Sequence, residues 1–275
     1  GGTVSGRLSM NNPNLQQVPA RNEAIGPKIR SLFLPEEGEK WASLDYSQQE
    51  PRLLVHYAKK HGLEGADTMI KFFRDGEDFH QVTANMAGIS RKEAKTIGLG
   101  LMYGMGIAKL AASLDISQEQ AKALKKKYND NVSFLNNIIV RATRYTEQNG
   151  YINTLLGRRC RFDLWENKDF HDKRMMSHEN AKKTWQWNEM KRAGTYRALN
   201  RLIQGSAADQ TKQAMVNLWK DVGVIPMIQI HDELNVSVTS ETQVKEIKEM
   251  MESAVELHVP VKCDAEIGKN WGEIK

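Results

Sequence analysis

The chain has 275 residues, 40% of them hydrophobic, which is enough core for one large domain or two modest ones. A mean hydropathy of -0.57, no run near the roughly 18 apolar residues of a membrane span and no signal-peptide pattern point away from a membrane protein. The balance of 39 Lys and Arg against 34 Asp and Glu gives a net charge of +5, which leans toward polyanionic partners without selecting one.

Two cysteines, Cys160 and Cys263, are too few for a disulfide framework or a zinc site. They read as small buried residues of a reducing compartment. Gly1 and Gly2 run straight into a motif-like segment, which suggests a truncated or processed start.

In chain order, residues 4–21 carry the turn chemistry of Asn11, Asn12, Pro13 and Asn14 and read as a loop with amides and two arginines, Arg7 and Arg21. Such side chains either decorate an ordinary loop or reach the minor-groove acceptors that every base pair presents. Lys40 to Asp45 reads as a short strand. Ser47 with Glu50 has the capping-box pattern and opens a helix over 47–62, with Pro51 in the first turn where its missing N–H matters least. Asp45 thus falls on a strand-to-helix turn, a place that suits a functional carboxylate and a structural one equally. Residues 67–88 read as helical, with Phe72, Phe73 and Phe79 in the core and His80 beside them.

The segment Ser90 to Gly106, SRKEAKTIGLGLMYGMG, is the most informative stretch. Arg91, Lys95, Leu99 and Tyr103 recur at steps of four, and each step turns a helix by only about 40°, so all four share one band. Ser90 with Glu93 forms a capping box, and Gly104 and Gly106 supply a stop. A solvated basic face and an anion-binding face both fit this pattern.

Ser117 and Gln120 then cap a helix running to about residue 139, and 141–150 is helical again. Residues 150–162 look like a hairpin around Gly157 that carries Arg158, Arg159 and Arg161. Residues 163–195, charged and holding Trp165, Trp185 and Trp187, read as an insertion without a defined structure. Residues 196–220 form a long helix whose Gly205 to Ala208 suit close approach of a backbone or ligand. Residues 226–238 alternate on both sides of a polar pivot, a hairpin with Asp232 and Glu233 near its tip. A helix over 241–258 and a strand over 259–267 close the chain.

Adjacent acids at a hairpin tip raise each other's pKa, and a divalent cation is the strongest compensation. Mg²⁺ prefers one or two carboxylates plus substrate phosphate oxygens to an all-protein cage. Asp45 on another strand end completes a site for two ions, and a basic helix gives a triphosphate its counter-charge. The combination favours phosphoryl transfer to a nucleic acid.

Several motifs then match one family in order. SGRLS with NPNLQ, LDYSQQEPR at 44–52, RKEAKTIGLGLMYG at 91–104, QIHDEL at 229–234 and VPVKCDAEIGKNW at 259–271 resemble the polymerase region of family A DNA polymerases, the bacterial polymerase I type with its phage members. The resemblance breaks down mainly over 163–195. It implies an α+β right-hand core with an antiparallel palm sheet, the palm being 1–62 and 197–275 and the fingers 63–196. It implies template-directed addition of deoxynucleoside triphosphates to a DNA primer, with primer-template DNA and dNTPs as partners and no membrane. A bacterial host's cytoplasm would be the compartment for a phage-encoded chain. Thumb and exonuclease-type domains are expected N-terminal or on another chain.

Residue by residue, the resemblance implies that Asp45, Asp232 and the Tyr46 carbonyl bind two Mg²⁺ ions, with Mn²⁺ as a substitute, and that Glu233 supports the site. Lys95 and Arg91 would neutralise the triphosphate, Lys95 as a proton donor to pyrophosphate, with His80 on the phosphate tail. Glu50 would exclude a ribose 2′-hydroxyl, and Leu99 and Tyr103 would lie beside the nucleotide. Arg7, Asn14, Gln16, Asn200, Gln204 and His231 would contact primer and template.

Three departures stand out: Leu99 where the family has Phe or Tyr, Gly98 where it has Asn, and Pro51 where it has Leu. Two rival readings are a single-subunit RNA polymerase, against which Glu50 argues, and a non-catalytic nucleic-acid-binding module, against which the intact acids argue.

Overall fold

The computed structural model of the chain describes residues 3–19, 22–169 and 171–274; Arg21 lies outside them. A short 3₁₀ turn, Leu15–Gln17, is held at its start by the Asn14 side chain, which accepts from the Gln16 N–H. Helix α1 (Gly26–Arg30) has Pro27 in its first turn. Strand β1 (Lys40–Tyr46) ends at a tight turn, and helix α2 (Gln49–Lys60) follows.

The chain then becomes helical. The single helical reading of 67–88 is corrected to two helices, α3 (Ala66–Arg74) and α4 (Phe79–Ala87). The cause is local: Gly76 turns the backbone at φ +80°, and the Asp78 side chain caps α4 by accepting from the Gln81 N–H. Helix α5 (Arg91–Met102) starts at Ser90 with both halves of the capping box formed. Helix α6 (Ile107–Leu114) had no sequence reading of its own.

The next expected span also divides, into α7 (Gln118–Asn131) and α8 (Ser133–Asn149), because the fully buried Val132 leaves helical angles between them. Helix α8 therefore absorbs the helix expected at 141–150. The hairpin forms from β2 (Tyr151–Asn153) and β3 (Arg159–Arg161), with Gly157 at φ +84° in its loop.

The stretch expected to be an undefined insertion is a small folded unit. Strands β4 (Leu164–Asn167) and β5 (Met175–Ser177), helix α9 (His178–Thr184) and strand β6 (Met190–Arg192) build a three-stranded sheet in the order β5-β4-β6. Helix α10 (Ala198–Asn217) runs on through a wider turn to Gly223. The chain closes with β7 (Ile228–Ile230), β8 (Glu233–Val238), α11 (Glu241–Ser253) and β9 (Cys263–Gly268). The last helix is shorter and the last strand later than expected. Residues 254–262, with Pro260 among them, join the two, and the Cys263 N–H is taken by Glu252 at 2.8 Å.

The main sheet is antiparallel in the order β7-β8-β1-β9. Its two faces follow the strand period of two. Ala42, Leu44, Tyr46, Leu234, Val236, Val238 and Cys263 join Val244, Ile247 and Met251 of α11 and Ala214 of α10 in one buried cluster. Trp41 lies on the opposite face, stacked on Trp271 at 6.0 Å. The chain divides into two compact units, residues 1–53 with 206–275 and residues 54–205, so the cuts fall inside α2 and α10. The expectation placed those cuts at 62/63 and 196/197. Among the described residues no helix is long and apolar enough to cross a membrane.

Candidate functional site

In the first unit, register decides which side chains meet. Asp45 on β1 lies opposite Glu233 on β8 and opposite Asp264 on β9. Directly opposed residues of antiparallel strands share a face, so three carboxylates form a row across three strands. Asp232 adjoins the row from the β7–β8 turn, where its carbonyl accepts the Tyr46 N–H at 3.3 Å. The turn bends sharply because His231 adopts φ +57°.

Four acids this close carry an electrostatic load. Burial against the sheet, followed by the charges of Asp232, Glu233 and Asp264, pushes the Asp45 carboxyl up to about 7. Asp45 keeps an exposed surface, and solvent screening tempers that rise. Desolvation also raises Asp232, offset in part by the Arg7 charge. Glu233 is fixed differently: its Oε1 accepts from the Ser43 hydroxyl at 2.8 Å and the Asn235 amide at 2.7 Å. Asn235 is anchored in turn by the Trp41 indole N–H at 2.8 Å. Lys262 pairs with Asp264 at 3.3 Å. Asp264 is the acid that sequence reasoning missed; its signal was the period of two in a strand paired beside Asp45.

Among the described residues, no three His, Cys, Asp or Glu side chains converge as a ready-made metal cage. The row instead presents carboxylate oxygens in excess of cations. That chemistry suits a hard divalent ion arriving with its own oxygen ligands.

The surrounding side chains brace this floor. Arg7 donates to Glu50 at 2.8 Å in a half-buried ion pair. The expected capping box at Ser47 is corrected by this geometry: α2 starts at Gln49, after Gln48 at φ +53°, and Glu50 is held by Arg7. Gln16 donates to the Leu8 and Gln229 carbonyls at 3.3 and 3.2 Å, tying the loop to β7. Asn14 acts one step back, as the cap that orients Gln16. His231 is exposed at the turn. The Tyr46 hydroxyl donates to the Met251 carbonyl at 2.7 Å, which leaves its own carbonyl as the only feature of Tyr46 suited to a metal.

The second unit carries the cationic helix. Arg91 reaches back to Asp78 in a two-pronged pair at 2.9 and 3.1 Å. Lys95, one turn on, is exposed and makes no ion pair with any described residue. Leu99 is half-buried on the same band. Tyr103 is the C-cap rather than a helical residue, and its hydroxyl accepts from Gln204 at 3.1 Å. Asn200 is half-buried on α10, one turn before Gln204.

His80 is buried, and desolvation with the charges of Lys95 and Arg91 lowers it to about 4 against the pull of Asp78, so it is a neutral imidazole at pH 7. Gly98 has a packing reason: a Cβ there would meet the buried Tyr128 hydroxyl at 3.0 Å. Gly104 turns at φ +69° against the Tyr196 ring, a conformation only glycine adopts readily.

A family model described as DNA polymerase family A matches residues 1–273. The chain belongs to DNA polymerase family A. It is 37% identical to a DNA-directed DNA polymerase of Pseudomonas phage M6, over 98% of this chain and 44% of that protein. It is 33% identical to the thermostable DNA polymerase I of Thermus aquaticus, over 98% of this chain and 31% of that protein. A solved structure, the POL domain of Pol1 from M. smegmatis in complex with DNA primer-template and dNTP, is 32% identical with a TM-score of 0.79 and is matched over 98% of this chain and 46% of that one. The chain thus spans less than half of each relative. The α+β fold of a polymerase core is shared with that POL-domain structure.

Proposed function

We propose that this chain carries the nucleotidyl-transfer core of a DNA polymerase, adding deoxynucleoside triphosphates to a primer 3′-hydroxyl under template direction and releasing pyrophosphate. The observation that supports it best is the row of acids at the sheet end, where burial and the neighbouring charges of Asp232, Glu233 and Asp264 push Asp45 up to about 7. When bound by Asp45, Asp232 and the Tyr46 carbonyl, two Mg²⁺ ions (or Mn²⁺) supply activation of the hydroxyl and neutralisation of charge on the phosphates.

The chain's own groups divide the remaining work. Glu233, held by Ser43 and Asn235, fixes its carboxyl group beside Asp45 and stiffens the turn that bears Asp232. Lys95, exposed and without an ion-pair partner among the described residues, is the readiest cation for the triphosphate and the proton donor to the leaving pyrophosphate. Arg91 must loosen from Asp78 to join it. His80, neutral, offers hydrogen bonding to the phosphate tail instead of charge.

Glu50, steadied by Arg7, excludes a ribose 2′-hydroxyl. Leu99 and Tyr103 lie beside the base, Leu99 giving an aliphatic surface where an aromatic ring would stack. Arg7, Gln204, Asn200 and His231 contact the primer terminus, while Asn14 and Gln16 hold the Arg7 loop in place. The first compact unit is then the palm and the second the fingers. Primer-template DNA and dNTPs, named for the M. smegmatis structure, are the partners proposed here.

The test is primer extension with Mg²⁺. Asp45→Ala and Asp232→Ala should each lower the rate by about 10³-fold or more, and near-normal rates in either would overturn the assignment. Incorporation of dNTP over rNTP, relaxed in Glu50→Ala, separates this reading from an RNA polymerase.

A further inference from the structure

The small sheet at 164–192 plays no part in the nucleotidyl-transfer reading, yet it is built with care around one exposed ring. Ala181, Trp185 and Met190 form its buried centre, with Trp165 and Met176 packed on them. Trp187 lies at the rim and is 68% exposed, an unusual state for the largest apolar side chain.

It is not loose. Its 3₁₀ turn, Trp187–Glu189, is closed by a reciprocal box in which the Gln186 N–H donates to the Glu189 carboxylate at 2.9 Å. Lys168, just past the end of β4, fastens the same turn by donating its ammonium to the Asn188 carbonyl at 2.6 Å. Behind Trp187 stand Trp165 at 5.8 Å and His178 at 6.1 Å between ring centres. Trp165, tilted by 45°, and His178, edge-on at 70°, hold the ring at the rim while most of its surface stays in solvent.

Beside it runs an open groove of about 710 Å³ lined by Lys182, Lys183, Gln186, Trp187 and Glu189. Lys182 and Lys183 form the last turn of α9, are exposed, and make no ion pair with any described residue. Glu189, held in the turn box, is the one acid of the lining, and the two lysines outweigh it, so the net charge facing the groove is positive.

A protein partner would call for a contiguous apolar patch. The other exposed apolar residues of this sheet, Leu164 and Met175, lie on the face away from Trp165, because Trp165 pairs with Met176. A lone, preorganised ring flanked by two unpaired cations fits a different occupant: an unpaired base to stack and a backbone phosphate on either side.

We propose that this groove binds single-stranded DNA, one base stacking on Trp187 and the adjoining phosphates meeting Lys182 and Lys183. The inference stands on this sheet alone and does not rest on the polymerisation reading.

Two measurements test it, both without Mg²⁺ or dNTP. In the first, the chain is titrated into fluorescein-labelled oligothymidine and anisotropy is followed over a range of salt. Trp187→Ala should weaken binding by about tenfold, and Trp187→Phe should recover most of the loss. Lys182→Ala with Lys183→Ala should lower the log–log salt slope by about 1.4. In the second, oligonucleotides carrying 5-iododeoxyuridine are photo-crosslinked, and the peptide containing Trp187 should be among the products. Unchanged affinity in Trp187→Ala, or crosslinks confined to other peptides, would overturn the proposal. Asp45→Ala should keep this binding, so the failure of one reading leaves the other standing.

Discussion

The two compact units solve opposite electrostatic problems. In the first, acids are forced together by strand register and left short of cations; in the second, a helix collects cations and then half-neutralises them. The pairing of Asp45 with Glu233 and Asp264 follows from backbone hydrogen bonding, which no side chain can relax. On α5 the geometry is softer, and Arg91 has found Asp78 while Lys95 has found no described partner. A rigid site with unmet charge suits ions that must be held in one place. A flexible cationic face suits a substrate that arrives and leaves.

The largest effects should fall on the rigid side. Asp232→Ala should reduce primer extension by about 10³-fold or more, whereas Lys95→Ala should cost about 10²-fold. Single-turnover kinetics at saturating dNTP would rank them, and equal losses would erase the distinction between the units.

The same contrast predicts opposite pH dependences of stability. Asp45 has a folded-state pKa raised to about 7, so its contribution is fully present below the usual carboxylate value and is lost as pH rises from about 4 toward 7. His80 has a folded-state pKa lowered to about 4, so its contribution is present above the usual imidazole value and is lost as pH falls from about 6.5 toward 4. The two windows overlap, so the contributions oppose each other in the parent protein, and denaturant titrations of variants separate them. Asp45→Asn, or Mg²⁺, should remove the loss on raising pH and leave stability climbing from about pH 4 to 6.5. His80→Gln should remove the opposing gain of about 1–3 kcal/mol and expose the Asp45 loss on raising pH. A Mg²⁺ effect that survives in Asp45→Asn would move the metal site elsewhere.

How much of this was legible in the sequence depends on the range of the forces involved. The Ser90–Glu93 capping box, the Ser117–Gln120 box and the turn at His231 are local, and the residues announce them. The acids Asp45, Asp232 and Glu233 were legible as members of ordered motifs. Asp264 was not, because its place beside Asp45 exists only once β9 pairs with β1. The Ser47–Glu50 box misled for the same reason: Glu50 chose Arg7, 43 residues away, over its own backbone. The sheet at 164–192 was unreadable because three strands of three or four residues are too short for a periodic signal to emerge.

A smaller effect probes the softness of the cationic helix. Asp78 both caps α4 and holds Arg91. Asp78→Asn keeps an oxygen able to cap while removing the charge, so it should free Arg91 with little loss of fold, whereas Asp78→Ala should also lose about 1 kcal/mol of stability with the cap. If Arg91 serves the triphosphate, the Asn variant should bind dNTP more tightly, read as a lower KM at unchanged kcat. An unchanged KM would mean that Arg91 is structural.

The smallest effect concerns the packing of Gly98 on α5. An alanine in an exposed helix interior would gain about 1 kcal/mol over glycine, but here its Cβ would meet the Tyr128 hydroxyl at 3.0 Å. Tyr128 is wholly buried and has no room to retreat, so Gly98→Ala should be neutral or destabilising by up to about 1 kcal/mol. Tyr128→Phe removes the obstructing oxygen. In that background Gly98→Ala should become stabilising, and thermal midpoints of the four proteins in the cycle would show a coupling of about 1 kcal/mol between the two sites. Additive midpoints would mean that something other than the packing of Tyr128 keeps a side chain out of position 98.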